Sequence, residues 1–350
     1  MKGLRFDKIK SILFIHHMLA MGEVVLLTGI YEAIKKQLSD VQMSIIARNY
    51  ACQFLKVLPY FQQIIPIEKL GLYRNKSKLY TGIKIFHFFL SHKYDWIVWR
   101  EDRNLPYNLF FKLGISINRP KRKINFAPLL KKYCNSNLHI CEIYARVLKK
   151  VGFSVGPYVK PYLAVNTEDV LWAKNFLGKK GIKKEDKIVG ICPVSNLKIK
   201  NWTTHKVNLL IEYITQNKGV KVLLFAQNFP VDKKVVEIGR LPFNRLMALI
   251  KLCNVFVSVD TGPMHTASAL GIPTIALFGP TSGKMFAPLS KGSKVIQKEI
   301  SCPYYNPYAS LFPYSNEVSC YQQDRCLWKK KSCINLIEVD EVWKALKEFI

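Results

Sequence analysis

Acidic side chains are scarce in this sequence: 24 Asp and Glu stand against 53 Lys and Arg in 350 residues, a formal charge of +29. A field of that sign repels cations and draws phosphates, anionic lipid surfaces or acidic glycans. Long apolar runs are also missing, and none approaches the ~18 residues of a membrane-spanning helix. No Cys-x-x-Cys pair occurs, and nine cysteines at irregular spacing fit a reducing compartment better than a disulfide framework. The four in the tail, Cys302, Cys320, Cys326 and Cys333, are separated by 17, 5 and 6 residues. That spacing signals a zinc site only weakly, so they read as free thiols or redox-sensitive structural residues. Carboxylates do not cluster as a metal would require, and no metal or cofactor is expected. There is no fixed-period repeat, no low-complexity segment and no recognisable nucleic-acid-binding module, so nucleic acid is not an expected partner.

What is present is a folded chain. With 49% hydrophobic and 22% charged residues it buries enough apolar surface to offset the entropy of ordering, and its length suits about two domains. Lys2, Arg5, Lys8 and Lys10 before Ile12 to Ile15 mimic the start of a signal peptide. His16 and His17 then interrupt the apolar stretch and Gly22-Glu23 follow, so the segment reads as the first strand of a cytoplasmic protein. The charge is spread along the chain, with 26 basic and 9 acidic residues in 1–150 and 27 and 15 in 151–350. Eight arginines lie in the first half and only Arg240, Arg245 and Arg325 in the second. Because guanidinium is a planar fork matched to carboxylates and phosphates, the first half looks better equipped for fixed recognition of an anion.

Short Ile- and Val-rich runs alternate with longer segments of helical period. Ile9–Ile15, Met43–Ala47, Ile64–Ile67 and Trp96–Trp99 read as strands, with helices over Val24–Leu38, Tyr50–Leu58 and Lys76–Leu90. This rhythm predicts parallel strands with helices on the faces. Gly152, Gly156, Pro157 and Pro161 punctuate a candidate linker, after which the rhythm restarts. Strands are expected over Lys187–Cys192, Val220–Ala226, Val255–Val259 and Thr274–Phe278, and helices over Lys206–Gln216, Arg245–Leu252 and Pro263–Leu270. Ligands of such sheets sit at the carboxyl ends of the strands.

The most informative segment runs from Val255 to Thr281. A buried strand ends at Asp260 and a helix opens within a few residues, with Thr261 or Gly262 near the N-cap and Pro263 suited to the first turn. The free N–H groups and positive dipole of that helix favour phosphate, and His265 falls on the first turn. Taken singly, Asp260 reads equally as a helix cap and His265 as a core histidine. A second turn at Phe278-Gly279-Pro280-Thr281 accompanies them.

This segment resembles the signature of glycosyltransferase family 9, the ADP-heptose:lipopolysaccharide heptosyltransferases. Its pattern is Asp-Thr-Gly-(Pro or Leu)-x-His, small residues, Gly-x-Pro and Phe-Gly-Pro-Thr, and every fixed element is present here. Met21-Gly22-Glu23-Val24 is similar to the family's first loop and helix. Leu138-His139-Ile140-Cys141-Glu142 is similar to the last helix of its N-terminal domain, and Cys192-Pro193 with Lys200-Asn201-Trp202 to the opening of its donor domain. The resemblance implies an α/β GT-B fold of two Rossmann-like domains facing across a cleft. It divides the chain into an acceptor-binding domain (1–155), a linker (156–168), a nucleotide-sugar-binding domain (169–335) and a C-terminal helix (336–350), with Val339–Phe349 helical.

The activity implied is inverting, metal-independent transfer of a heptose from ADP-heptose to the inner core of lipopolysaccharide or lipooligosaccharide. Alternatives are another nucleotide sugar on the same fold, or a catalytically impaired member. Lys200, Asp260, Thr261, Gly262 and His265 would meet the donor, with Lys200 a catalytic cation on the departing diphosphate; its bland alternative is a solvated charge. Glu23 would be the general base, in place of the family's usual Asp, or a carboxylate favoured at a helix start. Arg48, Arg100, Arg103 and the run Lys121-Arg122-Lys123 would meet the carboxylates or phosphates of the acceptor, or form a surface ion-pair cluster. The expected location is cytoplasmic, peripheral on the inner face of the bacterial inner membrane, with an attraction to the membrane surface that weakens with salt.

Overall fold

The β-branched runs of the first half lie side by side and point the same way. The structure, a computed structural model, describes residues 9–16, 20–72, 77–100, 108–134, 137–231, 235–306, 309, 318–328 and 332–350. It divides into two units, Met1–Pro161 and Tyr162–Ile350, and the division falls inside the stretch read as a linker.

The first unit runs β1 (Ser11–His16), α1 (Met21–Gln37), β2 (Gln42–Ala47), α2 (Asn49–Leu55), β3 (Gln63–Pro66), α3 (Lys78–Ser91), β4 (Trp96–Trp99), α4 (Asn108–Asn118), β5 (Arg122–Asn125), α5 (Phe126–Cys134) and α6 (Ile140–Lys150). Its sheet is parallel in the order β3-β2-β1-β4-β5. Both faces are covered, which is why its strands are continuously apolar rather than alternating. Leu13, Ile15, Ile46 and Ile97 pack with Phe88 and Phe89 of α3 and Phe111 and Ile115 of α4. On the other face Phe14 meets Tyr31 of α1 edge-on, with ring centroids 5.2 Å apart.

The second unit runs α7 (Thr167–Lys179), β6 (Lys187–Cys192), α8 (Thr204–Thr215), β7 (Val220–Leu224), β8 (Val236–Glu237), α9 (Phe243–Lys251), β9 (Val255–Val259), α10 (Gly262–Ala269), β10 (Thr274–Phe278), α11 (Gly283–Phe286), β11 (Lys294–Gln297), α12 (Cys320–Gln323) and α13 (Val339–Leu346). Its sheet order is β11-β10-β9-β6-β7-β8, again all parallel. Val339, Val342 and Leu346 of α13 enter its core beside Val207 and Ile211 of α8. The buried Trp202 donates its indole N–H to the Ile337 carbonyl at 3.2 Å, which ties the start of that last helix to the sheet.

In each unit the order reverses beside the first strand, between β1 and β4 and between β6 and β9. These reversals are the topological switch points at which doubly wound sheets open a crevice beyond the strand ends. Elements absent from the sequence reading include β5, α4, α5, α7 and β11. The helix read from Val24 begins at Met21, because the Glu23 carboxylate accepts the Ala20 N–H at 3.1 Å and closes its first turn.

Gly29 on α1 is constrained by neighbouring backbone. A Cβ there would stand 2.6 Å from the carbonyl oxygens of Val159 and Lys160, which cannot swing aside as a side chain would. Gly29→Ala is expected to destabilise the first unit by about 1–3 kcal/mol. Gly178, in the last turn of α7 with nothing within 4 Å of its Cβ position, is the control: Ala there should add about 0.5–1 kcal/mol. Denaturant melts of the two variants check both signs.

Candidate functional sites at the switch points

Asp260, the residue that follows β9, is the hub of the second unit's crevice. Its Oδ2 accepts from Lys200 Nζ at 3.2 Å and from the Thr281 hydroxyl at 2.7 Å, and its Oδ1 lies 3.5 Å from His265 Nε2. All four side chains are largely buried, with Lys200 the most open at 12%. Burial alone would raise the Asp260 pKa. The Lys200 charge, His265 and the Thr281 hydroxyl outweigh it and hold the carboxyl well below the usual range. The four residues come from four places in the chain, the loop after β6, the end of β9, the first turn of α10 and the turn after β10, and the Asp260 carboxylate holds the other three.

Lys200 reaches this position because its own loop is held on several sides. The Ser195 N–H bonds the Asn201 side chain at 2.7 Å, the Trp202 N–H bonds the Pro193 carbonyl, and the Ile199 N–H bonds the Asp324 carboxylate at 2.9 Å. The Lys200 ammonium stands 5.8 Å from the centroid of the Tyr321 ring. Thr261 is the N-cap of α10, with no side-chain cap bond, and Pro263 lies in the first turn. The ladder's first bond is His265 N–H to Thr261 carbonyl. The N–H groups of Gly262 and Met264 therefore lie ahead of the helical ladder, and Pro263 contributes none. A lysine, a buried imidazole and a helix N-terminus converge on the switch point, a combination suited to holding a diphosphate.

A second ion pair occupies the first unit's switch point. Glu23, in the first turn after β1, and Arg100, just past β4, meet at 3.0 Å with about a quarter of each side chain exposed. The carboxylate thus serves as helix cap and arginine partner together, through different oxygens.

Residues 131–306, half of the chain, match the sequence model of glycosyltransferase family 9 (heptosyltransferase). The chain belongs to glycosyltransferase family 9. It is 31% identical over 157 residues to lipooligosaccharide heptosyltransferase 2 of Haemophilus influenzae, an alignment covering 40% of this chain and 45% of that one. The chain thus spans about half the length of the first curated relatives it matches. Among solved structures, the family 9 glycosyltransferase of Veillonella parvula superposes with a TM-score of 0.74 at 18% identity over 97% of both chains. The ADP-heptose LPS heptosyltransferase II of E. coli gives 0.66 at 18% identity over 97% of this chain and 98% of that one. At such identities the likeness speaks for the fold, which is GT-B.

Within this family 9 chain the remaining basic residues separate by sheet edge. Arg48 caps α2 at the carboxyl end of β2, its guanidinium 5.2 Å from the Tyr50 ring centroid, on the same edge as Glu23 and Arg100. Lys121 and Arg122 lie at the opposite, amino-terminal edge. Lys121 pairs with Asp95 at 2.7 Å, and Arg122 donates to the Val151 carbonyl at 2.8 Å over the Trp96 ring. Lys123 sits exposed on β5, an edge strand, where lysine discourages strand pairing between molecules. The basic run is therefore not brought together with Arg48 and Arg100. Arg103 lies outside the described residues. Thr281 belongs to the site although the sequence reading assigned it no role; its place in the Phe-Gly-Pro-Thr turn was the available signal. The tail cysteines, all free thiols, line one pocket with Ile199 and Pro280, and burial pushes Cys333 up to about 11. Among the described residues no three His, Cys, Asp or Glu are grouped to hold a metal ion.

Asp260→Ala leaves Lys200 buried without its counter-ion, and a loss of about 3–5 kcal/mol is expected in the second unit. The depressed carboxyl stabilises fully above its unfolded value, near pH 4, and ceases to do so as pH falls through the lower folded value. Thermal melts should therefore show a constant gap between wild type and Asp260→Ala at neutral pH that narrows on acidification below about pH 4.

Proposed function

We propose that the protein is an inverting heptosyltransferase, moving a heptose from ADP-heptose to a hydroxyl of the lipopolysaccharide or lipooligosaccharide inner core at the cytoplasmic face of the inner membrane. The observation that carries this reading is the network of Lys200, Asp260, His265 and Thr281 at the second switch point, in a chain of a family whose relatives are named heptosyltransferases. In this reading the donor diphosphate lies against Lys200, His265 and the N–H groups at the start of α10, by Thr261 and Gly262. Negative charge grows on the leaving ADP as the anomeric bond breaks, and positive groups fixed in advance lower that barrier without reorganising. Asp260 meets the donor alongside them and positions Lys200 and His265 through its two carboxylate oxygens.

Glu23 is the base that takes the proton of the acceptor hydroxyl as its oxygen attacks the anomeric carbon from the opposite face. Arg100 holds one carboxylate oxygen and the Ala20 N–H the other, which together fix the direction of the carboxylate. Arg48 and Arg100, on the same sheet edge, meet anionic groups of the acceptor. The diphosphate contacts read a nucleotide sugar more closely than they read heptose, which keeps a different sugar as the second reading; thermal stabilisation by a panel of nucleotide sugars separates the two.

ADP release from ADP-heptose and truncated core oligosaccharides is the direct assay. Glu23→Ala is expected to lower turnover by about 10²–10⁴-fold, while Glu23→Asp, which restores a carboxylate, keeps most of it. Undiminished turnover in Glu23→Ala would remove Glu23 as base, and no ADP release with any core acceptor would remove the assigned reaction.

A further inference from the structure

Helix α3 is apolar on both sides. Thr81, Gly82, Ile85, Phe88 and Phe89 are buried toward the first unit's sheet, whereas Leu79, Ile83, Phe86 and Leu90 fall at spacings of four, three and four and stand exposed. Such a spacing places all four on one stripe. Helix α4 packs beside it and extends the stripe with exposed Leu109 and Leu113. The pair is interlocked: a Cβ at Gly82 would strike the Phe110 ring at 2.6 Å, and one at Gly114 the Phe89 ring at 2.2 Å. Glycine inside a helix is costly, and here it lets the two helices close on each other and hold the outer stripe rigid. Among the described residues sixteen large apolar side chains are exposed. Seven of them, counting Tyr80, lie on these two helices, at exposures between 43% and 72%. That concentration sets the face apart from the scattered apolar residues of an ordinary surface.

The charge carried by these two helices and their ends has one sign. Residues 77–94 and 108–119 contain five Lys and Arg and no Asp or Glu. Lys78, Lys84, Lys112 and Arg119 are exposed on or beside the two helices, and the Lys84 ammonium stands 5.8 Å from the Tyr80 ring centroid. A second copy of this chain is a poor occupant, because two such faces would bring like charges together. An anionic bilayer fits both features: acyl chains receive the apolar stripe and headgroups meet the lysines. We propose that the α3–α4 face is the docking surface by which the protein lies on an anionic lipid membrane. The inference rests on reading the acceptor as a membrane-held glycolipid, and it assigns the contact to residues that belong to neither switch point.

The test is co-sedimentation of the full chain with vesicles of phosphatidylcholine and phosphatidylglycerol, against vesicles of phosphatidylcholine alone. The variant carries Leu79→Ser, Ile83→Ser and Phe86→Ser, all on the exposed stripe. Wild type is expected to bind the anionic vesicles, and the variant to lose at least about tenfold in affinity while releasing ADP from soluble truncated acceptors at the wild-type rate. If the triple variant does not fold, Ile83→Asp alone is to show the same direction of loss. Equal binding by wild type and variant would overturn the surface while leaving membrane association intact. No binding by wild type would overturn the membrane contact itself, independently of whether ADP is released. Dimerisation of wild type that the variant abolishes would overturn the lipid as occupant in favour of a second copy.

Discussion

The second unit's site depends on one buried carboxylate. Asp260 collects a lysine from the loop after β6, an imidazole from α10 and a hydroxyl from the turn after β10. A buried carboxylate alone carries a desolvation cost of several kcal/mol, and Asp260 stays charged because the Lys200 charge, His265 and the Thr281 hydroxyl surround it. The same pairing serves two ends. It ties the loop after β6 to the end of β9, and it leaves a lysine with limited access to solvent at the crevice proposed for the diphosphate. The first unit repeats the arrangement with opposite polarity of placement: a carboxylate follows its first strand and a cation its fourth, as Glu23 and Arg100.

Most of the parallel framework was legible because its strands are buried on both faces. β2, β4, β6, β9 and β10 appear in the chain as short, mostly apolar runs, interrupted inside only by single small residues such as Ser44, Gly190 and Ser258, and their ends agree with the structure to within a residue or two. β5 was not legible. Its four residues, Arg122 to Asn125, include a single buried apolar side chain, Ile124, so an edge strand looked like a basic patch. The start of α1 was missed for a related reason: Ala20 carries no capping group, and the bond that closes the turn comes backward from Glu23.

The proposed donor-site residues Lys200, Asp260, Thr261, Gly262 and His265 came from motif and context together. Spacing indicated a strand ending at a helix start, but not that Asp260 would bond sideways to a lysine sixty positions earlier. Such long-range pairing depends on sheet order, which periodicity does not encode. Among the acceptor candidates, residue type alone did not separate the two sheet edges. Arg48 and Arg100 follow strand ends, whereas Lys121 and Arg122 precede a strand and bond Asp95 and Val151. The excess charge is a global property of the composition, and the fold places parts of it as a few fixed cations at strand ends, a lysine on an edge strand and exposed basic residues on or beside α3 and α4.

The proposed role of the β6–β9 switch point is to hold a nucleotide diphosphate through Lys200 and the start of α10. A crystal structure of the full chain with ADP tests it most directly. The phosphates are expected within hydrogen-bond reach of Lys200 Nζ and of the Gly262 N–H, with the Lys200–Asp260 pair intact. ADP bound with its phosphates away from both groups, or a Lys200 that stays turned from them, would contradict it.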